Sequence, residues 1–193
     1  GVSWEANQMS FTNLDSVSRF GGHREPVVAR NDDGVAVVVW VDSASESGTA
    51  HLFATQIWEH GVAPSEPLQA YPVCDSSVCS GSASPALAVS KFGRFTAVWL
   101  AQWGRVVLTA TSLSSSPAGW SSPTVLDDVS HAGIAAQLTH PRIAFMRPHF
   151  LVAVWVSNAN VSTVQADGSV AWTGTDADIM SAWSHDNGKT WGE

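Results

Sequence analysis

Ser184-His185-Asp186-Asn187-Gly188-Lys189-Thr190-Trp191 decides how this chain is read. The pattern is S-x-D-x-G-x-T-W, and each fixed position has a mechanical use. Ser184 and Asp186 are short polar side chains that hydrogen-bond to backbone N–H groups a few residues on, closing a tight loop. Gly188 supplies a positive φ that a side chain would resist. Thr190 completes the polar set, and Trp191 anchors the turn with a large apolar ring.

Upstream of this turn the chain repeats itself. Pro26–Val41, Pro85–Leu100 and Pro141–Val156 share the frame P-x-[VLI]-A-x9-V-W-[VL], with Ala29, Ala88 and Ala144 in register. Proline and tryptophan stand 14 residues apart in all three, and Trp40, Trp99 and Trp155 follow one another at intervals of 59 and 56. Each frame predicts a hairpin: a strand beginning at the proline, a turn, then a Val/Ala/Trp strand. A strand tolerates proline at its first residue, and one that is apolar on both faces is sandwiched between sheets. A third strand follows in each repeat, at 51–57, 106–113 and 178–183. After it comes the intact turn at 184–191, or a worn copy at 61–64 and 117–120. Gly1-Val2-Ser3-Trp4 matches the tail of a fourth copy.

The intact turn resembles the Asp-box of the sialidase-type β-propellers. The resemblance implies an all-β propeller built of four-stranded antiparallel blades, with about three blade-equivalents present. The chain is then one partial propeller over 1–193, in units of approximately 5–64, 65–120 and 121–191. Closed propellers use four to eight blades. The expectation is therefore a partial ring completed by further blades of the same parent chain or by a second copy in a homodimer.

Composition narrows the function. The 193 residues are 45% hydrophobic and 13% charged, with ten Trp and a net charge of −8. No basic stripe exists to release counterions from a nucleic acid, so no nucleic-acid partner is expected. No apolar run approaches the length of a membrane helix, so no membrane insertion is expected. Cys74 and Cys79 are the only cysteines. A disulfide closing a small loop and two free thiols are both readings of that pair, the disulfide being the simpler. With the sequon at Asn160, a glycosylation candidate, it points to a secreted or cell-surface protein. The seven His show no metal-ligand spacing, so neither a metal nor another cofactor is expected.

Function concentrates in long, irregular loops. In the resembled architecture the Asp-box turns lie on one face, and the fourth-to-first and second-to-third loops lie on the other, around the channel. The long loops at 11–25, 71–84 and 127–140 all fall on the channel face. So does an insertion in the third repeat, with a small hairpin turning at Asp167-Gly168. Candidate ligand-binding residues there are Arg24, Glu46, Trp103 and Trp172. Arg24, in His23-Arg24-Glu25-Pro26, is similar to the sialidase motif whose Arg clamps the substrate carboxylate, a match between guanidinium fork and carboxylate. It also fits a surface or ion-paired Arg neutralised by Glu25. Glu46 is the carboxylate nearest the place of the family's acid/base Asp. Trp103 and Trp172 fall outside the repeat frame and suit either sugar platforms or ordinary packing. Tyr71, the only Tyr, is expected at the end of a fourth strand, the wrong place for the family's nucleophile.

No complete catalytic set can be assembled from these residues. The expected function is a non-catalytic module that recognises a glycan or protein ligand, or serves a structural role. The alternative is part of an exo-sialidase or related glycoside hydrolase with Arg24 as a carboxylate clamp. On either reading Ser184, Asp186, Gly188, Thr190 and Trp191 are structural.

Overall fold

The computed structural model describes residues 22–32, 34–43, 50–58, 71–74, 77–113, 119–130, 132, 136–159, 162–164, 170–172 and 177–192. The box-like segments at 1–4 and 61–64, together with Glu46 and Asn160, lie outside the described residues.

The repeat frame becomes a succession of antiparallel sheets. The first has the order β1 (Gly22–Arg30), β2 (Val35–Ser43), β3 (Ala50–Trp58), β4 (Tyr71–Cys74). The second repeats it with β5 (Ala83–Val89), β6 (Phe95–Ala101), β7 (Val106–Thr111) and β8 (Thr124–Asp128). The third begins with β9 (Leu138–Arg147) and β10 (Phe150–Ser157), then carries the inserted hairpin β11 (Ser162–Val164) and β12 (Val170–Trp172). It resumes with β13 (Asp178–Ser184), giving the order β9–β10–β13. Tyr71 opens β4 and does not end a fourth strand, because that strand continues through Cys74, which pairs with Leu52.

Side-chain caps set the hairpin turns within the first two sheets. The Asn31 side-chain oxygen accepts from Val35 N–H at 2.8 Å, and the Ser90 hydroxyl accepts from Arg94 N–H at 3.0 Å. Valines and alanines then fill the spaces between sheets. Trp99 packs between the first and second sheets with Val37, Val39, Leu52 and Leu108. Trp155 packs between the second and third with Val98, Leu100, Val107 and Leu138. Its indole N–H donates to Asp127 at 2.7 Å, so the ring's one polar atom is satisfied. Every residue of β6 and β7 is buried, as expected of strands covered on both faces. In β10 burial alternates, and on its less-covered face the β13 partner Ile179 is 80% exposed.

The turn after β13 locks the second and third sheets together. Ser184 Oγ accepts from Gly188 N–H and donates to Asp186 Oδ1, both at 2.8 Å. Asp186 also accepts from Lys189 N–H at 3.0 Å, Thr190 N–H at 2.9 Å and the Thr190 hydroxyl at 2.6 Å. Gly188 sits at φ 83°, and a Cβ there would stand 2.5 Å from Thr111 Oγ1 on β7. Glycine is required twice over, by the backbone and by the neighbouring sheet. Trp191 is half-buried against the core between those sheets, its indole N–H donating to Gly188 O at 3.1 Å.

Burial opposes the charge on Asp186, but the hydrogen bonds from Thr190, Ser184 and Lys189 outweigh it. Together they hold the carboxyl at about 2, against 3.8 for an ordinary Asp. A depressed pKa contributes stability that is complete above the ordinary value and is lost as pH falls through the folded one. Asp186→Ala is expected to lower the unfolding free energy near neutral pH by about 2 kcal/mol. In urea denaturation across a pH series, that deficit should shrink as pH falls from 3.8 towards 2.

Candidate functional site

The first strands of the three sheets run side by side, β1 beside β5 and β5 beside β9. Each extends two or more residues before its proline, earlier than the frame predicts, and each does so through the same irregularity. Between Arg24↔Val41 and Val27↔Val39 the first strand advances three residues while its partner advances two. The same slip occurs between Ala83↔Leu100 and Ala86↔Val98, and between Thr139↔Val156 and Arg142↔Val154. These are β-bulges, each with one unpaired residue. Proline suits them because it has no N–H to leave unsatisfied. The residue before each proline takes a left-handed conformation: Glu25 at φ 55°, Ser84 at 50° and His140 at 54°. For a residue with a side chain this costs of order 1–3 kcal/mol and tends to be kept where geometry serves a function.

The bulges open a cleft of about 550 Å³, lined by Glu25–Val28, Ser84–Leu87, His140, Arg142 and Ile143. Its walls are apolar, from Val27, Val28, Ala86, Leu87 and Ile143. Its polar groups are a carboxylate, a hydroxyl, an imidazole and a guanidinium: Glu25, Ser84, His140 and Arg142. Ser84 N–H donates to Glu25 Oε2, a bond that joins the first and second sheets inside the cleft. Arg142 Nη1 donates to Pro141 O at 2.8 Å, steadying the guanidinium. A concavity that combines apolar walls with polar groups is a common form of a small-molecule site.

The candidates singled out in the sequence distribute themselves differently, and the cleft has polar residues that they omit. Arg24 is exposed on β1 opposite Val41 and is not among the lining residues. Its neighbour Glu25 takes the place in the cleft. Trp103 stands at the cleft end of the second sheet, in the β6–β7 loop, and is 68% exposed. Trp172 ends β12 opposite Ser162, and its side chain lies outside the described residues. Cys74 and Cys79 form a disulfide with a Cα–Cα distance of 6.0 Å, and both are buried in the core between the first two sheets. No group of three or more His, Cys, Asp or Glu suited to a metal occurs among the described residues. Nor is any helix there long and apolar enough to cross a membrane.

The Ser184–Trp191 turn lies at the opposite end of the sheet. Leu151 pairs with Ser184 at one end of β10, and Val156 pairs with Thr139 at the other. At the rise of a strand the two ends are about 17 Å apart. Asp186 therefore works on the fold and stays remote from the cleft.

Among solved structures the chain is similar to a Hadza microbial sialidase, with a TM-score of 0.52, 15% identity, and coverage of 92% of this chain and 37% of that one. It is also similar to the Penicillium chrysogenum α-L-arabinanase complexed with arabinobiose, with a TM-score of 0.54, 12% identity, and coverage of 89% and 48%. The native Bacillus subtilis arabinanase matches with a TM-score of 0.50, 12% identity, and coverage of 93% and 66%. The chain folds as part of a β-propeller. It spans between about a third and two thirds of the length of these three structures. No protein-family model matches it, and neither does any curated protein.

The hydrogen bond across the cleft gives a stability prediction. Glu25→Ala should leave Ser84 N–H without its carboxylate and lower the unfolding free energy by about 1 kcal/mol. Glu25→Gln, which keeps an acceptor, should recover part of that loss. Thermal melts of the three proteins check the order.

Proposed function

We propose that this chain belongs to a secreted or cell-surface Asp-box propeller that binds a glycan in the cleft between β1, β5 and β9 without hydrolysing it there. The observation that carries the reading is the cleft's polar set. Hydrolysis of a glycosidic bond needs an acid on one side and a nucleophile or base on the other, in most enzymes two carboxyl groups and in sialidases a carboxyl group and a tyrosine. Among the described lining residues Glu25 is the one carboxylate, and it accepts from Ser84 N–H. Arg142, His140 and Ser84 supply donors for hydroxyl or carboxylate groups, and Val27, Leu87 and Ile143 supply apolar contact. That combination suits binding and orientation of a sugar.

Two further features support the wider reading. The Ser184–Asp186–Thr190 hydrogen bonds fit an Asp-box turn, and the buried disulfide fits an oxidising compartment. A partner for the third sheet belongs to the same proposal. Val152, Val154 and Val156 of β10, with Ile179 and Trp183 of β13, present an apolar face of the kind that another propeller sheet covers, from the same protein or from a second copy.

A glycan array followed by calorimetry on the best binder tests the function. Binding is expected, and Arg142→Ala or His140→Ala should weaken it by about tenfold or more. A fluorogenic sialoside tests the alternative. Turnover that Arg24→Ala abolishes would replace this reading with a sialidase in which Arg24 clamps the carboxylate.

A further inference from the structure

We infer that Trp103 is a rigid aromatic platform that stacks against a sugar ring beside the cleft, so that the bound glycan extends beyond the cleft along the second sheet. The inference rests on the carbohydrate-binding reading above. It is carried by the way the indole is held.

Tryptophan is highly buried on average. Trp103 is 68% exposed, yet nothing about its loop is slack. Gln102, Trp103 and Gly104 take φ values of 49°, 61° and 84°, three left-handed residues in succession. Two of the three carry side chains and resist that conformation. The surroundings impose it from both sides. Gln102 N–H donates to Ser80 O at 2.6 Å, tying the loop to the segment just after the disulfide. Leu138 N–H donates to Gly104 O at 2.7 Å, tying it to the start of β9.

Gly81 makes room for the ring. A Cβ at Gly81 would lie 2.8 Å from Trp103 N, 2.9 Å from Cδ2 and 3.1 Å from Cε2. Cδ2 and Cε2 are the two ring-fusion carbons, so the indole rests over the bare Cα of a glycine. Gly81 is itself buried and in a left-handed conformation, and any other residue there would push the ring away. The cost of order is met in advance. A preorganised aromatic surface binds without losing further side-chain freedom.

The same two ties place the platform next to the cleft. Gly81 precedes Ser84 by three residues, a span of at most about 11 Å along the chain. Leu138, bonded to Gly104, precedes His140 by two. An elongated ligand can therefore meet Ser84 and His140 at one end and Trp103 at the other. A sugar suits both, because its C–H face packs on an aromatic ring while its hydroxyls pair with the cleft's polar groups.

The test is a titration of the protein with 3′-sialyllactose, arabinotriose and xylotriose, followed by NMR of indole N–H and backbone amide signals. Trp103→Ala assigns the indole signal. Trp103→Asn removes the ring while tolerating a positive φ, and Trp103→Tyr keeps an aromatic surface. The expected result is a shift of the Trp103 indole signal with at least one saccharide. The asparagine and alanine variants should bind that saccharide about tenfold more weakly, and the tyrosine variant nearly as well as the parent. A saccharide that shifts the Glu25, Ser84 or His140 amides, leaves Trp103 unmoved and binds Trp103→Asn with unchanged affinity would overturn the platform and leave the cleft reading intact. No response to any of the three saccharides would overturn both.

Discussion

Proline's missing N–H is the constraint from which the cleft follows. Pro26, Pro85 and Pro141 each interrupt a ladder at the same place, and each interruption is taken up as one unpaired residue. The preceding residue turns left-handed to accommodate it, and three such turns on adjacent strands open the space that Glu25, Ser84 and His140 border. The conformation is unfavourable residue by residue and persists because the sheets behind it are well packed. One sequence feature, repeated, thus supplies a concavity at one end of the first strands, while the middle of those strands keeps its ordinary pairing.

The packing behind the cleft is what sustains that strain. β6 and β7 are buried throughout, Trp99 and Trp155 fill the two spaces between sheets, and the turn at Ser184–Trp191 fastens the third sheet to the second through Gly188 and Thr111. The fastening is at the far end from the cleft. The arrangement separates the work: one end of the sheets carries hydrogen-bonded structure that fixes their spacing, and the other carries varied loops and side chains. Polar residues in the cleft can then differ from sheet to sheet without disturbing the repeat.

That separation explains what could be seen in the sequence. The proline–tryptophan frame and the turn motif announced the hairpins, the third strands and the inserted hairpin, because hydrophobic burial and turn chemistry leave a periodic record. The cleft left a fainter one. Its signal is the position before each proline, occupied by Glu25, Ser84 and His140, three residues with no chemistry in common. What they share is a backbone conformation, which composition does not display. Arg24 looked sharper because His23-Arg24-Glu25-Pro26 is similar to the sialidase motif. A bulge, however, moves every residue before it to the other face, so alternation cannot be carried across Pro26. Trp103 was visible as a tryptophan outside the frame, but Gly81, which holds it, lies over twenty residues earlier and became legible only in three dimensions.

The first strands store backbone strain at the residue before each proline, and glycine reads the sign of that strain. Ser84→Gly leaves the N–H that donates to Glu25 in place and removes only the side chain. Measured by urea denaturation, Ser84→Gly is predicted to raise the unfolding free energy by about 1 kcal/mol, since glycine enters the left-handed region freely. A loss of about 0.5–1 kcal/mol, the ordinary cost of glycine in an extended strand, would contradict it.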